Sequence, residues 1–371
     1  IINSLFFKIK QLGSQIFLWL FSKFFTWVIV LTLSLRKKKR MSHDNGIGAS
    51  GKVTIVKDQK FPAHEFFEPG RVFPARIRHA SATFLDDAMS CIRSMSIKFS
   101  DANFKSPFDL EMNTGEISLF WSAWSFWKFA QLRQEKYGVE YIDYYKKYPE
   151  GLIGAKVALR RDPNSFHDLR YYAKTPFKFK GKDNIDRYVK YHIKPFDEIP
   201  ETGIMKNISN VDAGNQRISP DEKRGRNYLK EEYEHRIKIN GAKYMLQIQT
   251  RIAQDDDDQN IFNNMIPWDK EAHPWYDLAV IEVEKTLDWI ESSKTSFSLN
   301  NMPKSLGIIP AKSIYDFNSL NYMRAHSETA RKARLLAYKL FGYPTEIPNN
   351  DDRNSENWSK IQKNNRSKMI R

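Results

Sequence analysis

The sequence contains a single cysteine, Cys91, among its 371 residues. This excludes an intrachain disulfide framework and any zinc site built from several cysteines, so we interpret Cys91 as a small buried hydrophobic residue.

Residues 1–40 contain no acidic side chain and eight Lys or Arg residues, and residues 351–371 add a charge of +3. Of the net charge of +15, only +4 therefore belongs to the 310 residues between these segments. The charge balance predicts no nucleic-acid partner.

The segment 46–53, GIGASGKV, lacks the hydroxyl group that a phosphate-binding loop requires. Its first seven letters fit G-x-x-x-x-G-K, but Val53 stands where Ser or Thr would bind a magnesium ion. The β-branched run at 52–56 also places a strand after the glycines rather than before them. We therefore predict no nucleotide site here, and we predict instead that the glycines form a sharp turn into a strand.

Ile16–Leu35 is a 20-residue apolar run, interrupted by Lys23 and a few hydroxyl side chains and followed by the basic cluster Arg36–Arg40. The run is long enough to span a bilayer, and the basic cluster favours the cytoplasmic side. Residues 1–40 are thus predicted to be a possible membrane anchor on a membrane-associated protein that faces the cytoplasm. An interfacial helix, or a buried helix of a cytoplasmic protein, is the alternative.

The rest of the sequence favours a mixed α+β domain over residues 41–345 and a polar tail over 346–371 that is predicted to be disordered. Predicted strands lie at Val53–Val56, Met95–Phe99, Leu110–Met112, Ser118–Trp121, Phe177–Phe179, Arg187–Ile193, Ala242–Ile252 and Leu278–Val283. Predicted helices lie at Trp124–Tyr137, Ile142–Tyr148, Glu150–Arg161, Pro220–Ile237 and Met323–Leu340.

Seven of the eight histidines lie among ordinary polar or aromatic neighbours without metal-ligand spacing. His43 differs, because it lies between the basic cluster and the glycine-rich segment. On spacing alone it would be a surface loop histidine. However, the segment Arg40–Val53 resembles the distal segment of the haem catalases, in which an Arg precedes the essential His by three residues. Further similar segments follow in the family's order, at Arg93–Phe99, Asp109–Thr114, the stretch reaching Phe120, Tyr244–Gln249, Trp268–Ala279 and Arg334–Tyr338.

Within this family, the chain resembles the catalase-related allene oxide synthases of corals, which can be fused to a lipoxygenase. The similar stretches are Phe61–Ala80, Met112–Glu116, Trp268–Trp275 and Lys312–Leu320. Catalases carry Val just before the distal His, whereas these synthases carry Thr, and Ser42 keeps the hydroxyl group. A hydroxyl group beside an imidazole can form a hydrogen bond with it and weaken it as a base. Ser42 therefore favours rearrangement of a fatty-acid hydroperoxide over catalase chemistry.

The resemblance implies a catalase-type antiparallel β-barrel with surrounding helices, in a compact form without a large C-terminal domain. It also implies haem b as cofactor, a polyunsaturated fatty-acid hydroperoxide as substrate, an allene oxide as product, and a lipoxygenase as a possible partner. A catalase or organic peroxidase on the same fold, or a membrane-anchored binding protein without haem, is the alternative.

The resemblance also implies roles for individual residues. Tyr338 is expected to bind ferric iron as a phenolate, and Arg334, one helical turn away, to keep it ionised. Catalytic roles at the open iron position are expected for His43 and Asn113, with Ser42 beside the imidazole. The propionates are expected to pair with Arg40 and Arg93, although Arg40 also ends a basic run. Phe120 is expected near the haem face, or else is an ordinary core residue.

Two departures from the family pattern leave alternatives open. An ungapped continuation after Lys312–Leu320 places Arg324 and Glu328, instead of Arg334 and Tyr338, at the proximal positions. Glu is a poor substitute for a phenolate, so this register would describe an altered relative or one without haem. Thr345 also stands where catalases place a further Arg after the Tyr, so weaker haem anchoring is expected.

Overall fold

The computed structural model describes residues 2–82, 86–135, 144–205, 218–219 and 221–346. Of the predicted polar tail, residues 347–371 lie outside the described residues, as does the first part of the helix predicted at Ile142–Tyr148. The central feature is a closed barrel in which every strand pairs antiparallel with its neighbours. The barrel predicted from the family resemblance, with helices around it, is confirmed.

Eight strands form the barrel, and β1 closes it by pairing with both β2 and β8. At Val53, for example, the partners are Phe73 on one side and Ile281 on the other. The strands are β1 Asn45–Ile55, β2 Val72–Ser81, β3 Arg93–Lys98, β4 Asp109–Thr114, β5 Tyr171–Lys180, β6 Asp186–Pro195, β7 Ala242–Ile252 and β8 Trp275–Thr286. Each strand therefore has a partner on both sides, although β4 and β5 pair only at Asn113–Tyr172 and Thr114–Tyr171.

The barrel interior is filled largely by aromatic and β-branched side chains, which alternate with outward-facing residues along each strand. His79 is part of this core. Its ring stacks on Phe166 and meets Tyr233 edge to face, and His79 Nε2 lies 3.2 Å from Tyr244 Oη. Burial lowers the pKa of His79 to about 3, so the imidazole is neutral at physiological pH.

Seven α-helices whose bounds lie within the described residues surround the barrel, and residues 144–147 are also helical. The seven helices are α1 Ile2–Ile29, which continues as a π-helical segment Val30–Leu35, then α2 Ala123–Glu135, α3 Pro149–Ala158, α4 Tyr228–Asn240, α5 Trp289–Lys294, α6 Ser319–Ala325 and α7 Glu328–Phe341. Short 3₁₀ turns lie at Gln259–Phe262 and Lys304–Leu306. The helix predicted over Met323–Leu340 is therefore two helices, which meet at His326 and Ser327.

Two predicted elements need correction, and one strand was not predicted. Ser118–Trp121 is not a strand but a run of bends, and β2 was missing from the predicted strands altogether. The glycine-rich segment is not a turn. Gly46, Gly48 and Gly51 all lie inside β1, and the left-handed residue of the turn is His43 itself, with a φ of 57°.

The N-terminal helix packs against the domain along one face. Ile9–Leu35 is long and apolar enough to cross a bilayer by length and composition. Nevertheless Phe25 meets Phe126 and Trp127 of α2 edge to face, and Thr26 Oγ1 donates a hydrogen bond to the backbone oxygen of His326, at 3.3 Å. The helix is therefore joined to α2 and to the end of α6.

Candidate active site

A cavity of about 280 Å³ lies between the outer face of the barrel and the helices α1, α6 and α7. Outward-facing residues of β2, β3 and β4 form one wall, with Arg78, Ser94, Ser96, Glu111 and Asn113 at the surface. The opposite walls are formed by helix residues and by the segment between α1 and β1. These lining residues are Phe25, Ile29, Ser34, Lys39, Arg40, Met41, Ser42, His43, Phe120, Phe126, Phe297, Leu320, Met323, Arg324, Ser327, Ala330, Arg331 and Arg334.

The segment that carries Ser42 and His43 is held in place by hydrogen bonds from two arginines and a backbone amide. Arg78 Nη1 donates to the backbone oxygen of His43 at 2.7 Å, and its Nη2 donates to that of Asp44 at 2.8 Å. The Arg40 amide donates to Asp44 Oδ1 at 3.0 Å. Arg40 Nη2 in turn donates to the backbone oxygens of Ser293 and Thr295. These contacts fix the backbone around His43 against β2 and the segment after α5.

Ser42 Oγ lies 2.8 Å from His43 Nδ1, within hydrogen-bond distance. When the hydroxyl group donates to Nδ1, the imidazole proton resides on Nε2. In that tautomer, Nε2 can donate a hydrogen bond but cannot accept a proton. The predicted contact between the Ser42 hydroxyl and the His43 imidazole is therefore present, and in this tautomer it would work against His43 as a general base.

On the other side of the cavity, Arg334 connects the lining to a buried tyrosine. Arg334 Nη1 donates to Tyr338 Oη at 3.1 Å and to the backbone oxygen of Ser293 at 3.0 Å. Arg334 Nη2 donates to Ser296 Oγ at 2.7 Å. The side chain of Tyr338 is buried, whereas Glu328, at the start of α7, is partly exposed and forms an ion pair with Lys332 at 2.8 Å. Tyr338 is thus a buried phenol in contact with a guanidinium group, whereas Glu328 is half of an ion pair nearer the surface.

The lining carries a strong excess of positive charge. Six of its side chains are Lys or Arg and one, Glu111, is acidic. Burial lowers the pKa of Arg40 well below its usual value, with Arg334 and Arg78 adding to the effect. Burial also lowers the pKa of Arg78 to about 10, although Asp44 opposes this. Buried cations of one sign are costly unless an anion pairs with them, so the cavity is suited to an anionic ligand.

A second cationic group surrounds Glu111 on β4. Arg324 Nη2 lies 2.7 Å from Glu111 Oε2, and Arg331 Nη2 lies 3.2 Å from Glu111 Oε1. Burial acts to raise the pKa of Glu111, but the two arginines outweigh it and the pKa is lowered. Arg331 Nη1 and Arg78 Nε are buried and form no hydrogen bond with the described residues. These donors remain available to a ligand with carboxylate groups.

These residues fit a haem group. A buried tyrosine beside an arginine can supply a phenolate ligand to ferric iron, and the cationic lining can pair with two propionates. The apolar part of the lining, with Phe25, Ile29 and Phe120, suits a macrocycle. Among the described residues, no group of three or more His, Cys, Asp or Glu side chains could hold a metal ion instead.

The chain is similar in sequence to a curated protein and in fold to solved catalases. The chain is 39% identical over 304 residues to the allene oxide synthase-lipoxygenase protein of Plexaura homomalla, a match that covers 81% of the chain and 28% of the relative. A bacterial catalase structure superimposes with a TM-score of 0.62 over 86% of the chain and 62% of the catalase, at 16% identity. The chain thus resembles an allene oxide synthase-lipoxygenase protein in sequence and the catalases in fold. At this identity the likeness to the solved catalase concerns the fold alone.

A second curated relative is the linolenate 9R-lipoxygenase of a Nostoc strain, with 26% identity over 335 residues, 85% of the chain and 41% of the relative. The chain spans less than half the length of both curated relatives. No protein-family model matches the chain.

Of the residues predicted for the site, six line the cavity: Arg40, Ser42, His43, Asn113, Phe120 and Arg334. Tyr338 lies behind Arg334 and contacts it. Arg93 is not brought to the cavity. Its guanidinium group is fully buried and donates to the backbone oxygens of Asp87, Met89 and Cys91 and to the Cys91 sulfur. In this structure it supports the loop before β3.

Among the charged lining residues, Arg78, Glu111 and Arg331 were not predicted for the site. A signal for Arg78 was present in Pro74–His79, where arginines alternate with apolar residues as on a strand with one buried face. Arg324 was named only for the proximal Arg position of the alternative register. Glu111 and Arg331 have no signal in the sequence, because their pairing depends on the docking of α7 beside β4.

Proposed function

We propose that the chain is a haem-dependent hydroperoxide dehydratase, which converts a polyunsaturated fatty-acid hydroperoxide into an allene oxide and water. The curated relative from Plexaura homomalla is named an allene oxide synthase-lipoxygenase protein, and the catalase-like cavity supports chemistry on a peroxide bond. When bound, haem b would supply the ferric iron that reacts with the O–O bond.

In this proposal each residue has a role at a stated atom. Tyr338 Oη would be the proximal iron ligand, and Arg334 Nη1, at 3.1 Å, would stabilise its negative charge. Arg40 and Arg78 would pair with the propionates, with Arg93 assigned instead to support of the barrel. Phe120 would contact the macrocycle.

On the distal side, His43 would orient the hydroperoxide through an imidazole N–H, and the Asn113 amide would donate a second hydrogen bond. The observation that carries the choice of reaction is the 2.8 Å contact between Ser42 Oγ and His43 Nδ1. A catalase requires its distal imidazole to accept a proton from hydrogen peroxide. If the Ser42 hydroxyl donates to Nδ1, the imidazole proton lies on Nε2 and His43 is a poor acceptor. A dehydratase would need His43 mainly to position the substrate and to donate a hydrogen bond to the departing oxygen.

The test is an absorption spectrum followed by product analysis. The purified chain is supplied with haem and then with hydrogen peroxide or with a panel of polyunsaturated fatty-acid hydroperoxides. We expect a Soret band, slow oxygen evolution from hydrogen peroxide, and the hydrolysis and cyclisation products of an allene oxide from at least one lipid hydroperoxide. Rapid oxygen evolution from hydrogen peroxide, with the lipid hydroperoxides left intact, would show that the chain is a catalase and not a dehydratase. The lack of any Soret band would favour the alternative of a binding protein without haem.

A further inference from the structure

Helix α1 has two faces of different character. The inner face consists of Leu18, Ser22, Thr26 and their neighbours, which are buried against the domain. Both hydroxyl groups donate hydrogen bonds to backbone oxygens within the helix at 2.8 Å, from Ser22 to Leu18 and from Thr26 to Ser22. Thr26 also reaches the end of α6. This face is therefore already occupied by protein.

The outer face of α1 is apolar and exposed. Its large side chains recur at spacings of three and four residues, so they form one stripe along the helix. Each is between 51% and 61% exposed: Ile16, Phe17, Leu20, Phe24, Trp27 and Leu31. An exposed apolar stripe of this length marks an interaction surface, since monomeric soluble proteins rarely leave such a patch uncovered.

Basic residues and a second apolar patch adjoin this stripe. Arg36 is exposed just beyond its C-terminal end. Lys38 Nζ donates to the backbone oxygens of Phe341 and Gly342, so the basic segment lies beside the end of α7. There Leu340 and Phe341 are 61% and 67% exposed. Lys39 and Arg40 face the cavity, so the basic residues on this side are Arg36 and Lys38. Apolar side chains next to such basic residues match the hydrocarbon boundary and the anionic headgroups of a lipid bilayer.

The inner face of the same helix forms part of the cavity wall. Phe25 and Ile29 line the cavity, while Phe24 and Trp27, their near neighbours in sequence, point outward. A single helix, about 10 Å across, therefore separates the cavity from the exposed stripe.

We propose that α1 lies in the surface of an anionic bilayer with its outer face in the acyl region and its inner face on the domain. A spanning helix would require the inner face to leave its protein partners and to expose Ser22, Thr26 and Ser34 to lipid. We further propose that a lipid hydroperoxide enters the cavity from the bilayer, past Phe25 and Ile29. The entry of a lipid hydroperoxide rests on the proposed function, whereas the docking of α1 on lipid does not.

Docking is tested by flotation of the full chain with vesicles of phosphatidylcholine, with and without phosphatidylserine. We expect the chain to float with the anionic vesicles and to be released by alkaline carbonate. The double variant Phe24→Asp, Leu31→Asp should bind them at least about tenfold less tightly. Ile239→Asp on α4 is the matched control, because Ile239 and Leu31 are both 61% exposed, and it should bind like the unmodified chain. Circular dichroism melts verify that the variants are folded.

Three results would overturn the docking proposal. Retention of the chain in carbonate-washed vesicles would show a spanning helix. Equal flotation of the double variant and the unmodified chain would show that another surface binds lipid. The third result is that the chain fails to float and has the mass of a dimer by light scattering. If replacing Phe24 and Leu31 then reduced that mass to a monomer's, a second copy of the chain would be shown to cover the stripe.

Entry from the bilayer is tested with the same variants and two forms of one hydroperoxide, embedded in anionic vesicles or dispersed in detergent. The double variant should lose at least about fivefold in kcat/KM with the vesicle form and little with the detergent form. Equal losses with both forms would overturn the entry route. If the unmodified chain converts neither form, the proposed function has failed, while flotation still decides whether α1 docks on lipid.

Discussion

Arg334 Nη1 lies 3.1 Å from Tyr338 Oη, one turn apart on α7, and both side chains are buried. The same guanidinium group also donates to Ser293 and Ser296, so its position does not depend on the tyrosine. A phenolate is the form of tyrosine that binds ferric iron, and under the proposed function Tyr338 would supply it. Through Arg334, this tyrosine is connected to the cationic lining of the cavity.

The first prediction concerns this tyrosine. Tyr338→Phe should abolish the Soret and charge-transfer bands of the haem-loaded chain, because the phenyl ring cannot ligate iron. Glu328→Gln is the control, since Glu328 pairs with Lys332 outside the cavity lining, and its spectrum should be unchanged. Absorption spectra after haem titration provide the measurement. A band that survives Tyr338→Phe and disappears in Glu328→Gln would favour the other register.

A second prediction concerns the hydroxyl group at Ser42. Ser42→Val removes the hydrogen bond to His43 Nδ1 and frees the imidazole to act as a base. Oxygen evolution from hydrogen peroxide should rise by at least about tenfold, a small part of what a positioned base can contribute. Ser42→Thr, which keeps the hydroxyl group, should behave like the unmodified chain. Identical oxygen evolution in all three proteins would show that this contact does not determine the reaction.

The cationic lining leads to a third prediction. Arg78→Gln should weaken haem affinity by about tenfold or more, because a hydrogen bond to a charged group contributes roughly 1.5–3 kcal/mol. Arg76→Gln is the control on the same strand, since Arg76 pairs with Asp101 at 2.7 Å and does not line the cavity. Haem titration followed by tyrosine fluorescence quenching measures both affinities. Similar haem affinity in the two variants would mean that Arg78 serves only to hold His43 and Asp44.

A fourth prediction concerns acid stability. Burial lowers the pKa of His79 to about 3, whereas the unfolded chain titrates near 6.5. Between these values the unfolded chain binds more protons, so His79 makes the folded state progressively less stable as pH falls from about 6.5 toward 3, by up to about 1.4 kcal/mol per pH unit. His79→Phe should flatten this part of the stability curve, measured by urea unfolding at several pH values.

The exposed His235 on α4 provides the control for the acid experiment. In His235→Phe, the free energy of unfolding should change with pH as steeply as it does in the unmodified chain. The comparison uses slopes and not absolute stabilities, because His79→Phe also removes the contact between His79 Nε2 and Tyr244 Oη. An unchanged slope in His79→Phe would mean that other buried groups dominate the acid response.

Sequence order was sufficient to predict the barrel and six of the residues that line the cavity, because the family's motifs follow each other over most of the chain. Ala242–Ile252 was predicted with the bounds that β7 has, since its polar and apolar residues alternate. Arg78 and β2 were missed together. The alternation in Pro74–His79 predicts a strand, and that strand would have placed Arg78 on the outward face beside His43.

Other features depend on tertiary contacts that no local pattern contains. Arg93 was expected at the haem because of its place in a family-like segment, yet its donors meet the backbone of the loop at 86–91. The role of α1 is similar. Its composition fits a spanning helix, an interfacial helix and a buried helix equally well. The stripe of buried residues from Leu18 to Ser34, with the exposed stripe opposite, becomes visible once α2, α6 and α7 are in place.

The last prediction returns to the glycines of β1. At Gly51, next to an irregularity in the pairing with β8, a Cβ atom would overlap the backbone oxygen of Glu282. Gly51 is thus required by the close approach of two strands and not by a turn, since its φ is not in the left-handed region. Gly51→Ala must push β8 away from β1, and we expect a loss of about 1–3 kcal/mol in the free energy of unfolding. Gly13→Ala, in an exposed part of α1 with open space around the new methyl group, should instead be neutral or stabilise by up to about 1 kcal/mol. Urea unfolding measures both, and a Gly51→Ala variant as stable as Gly13→Ala would restore the view of this segment as a flexible turn.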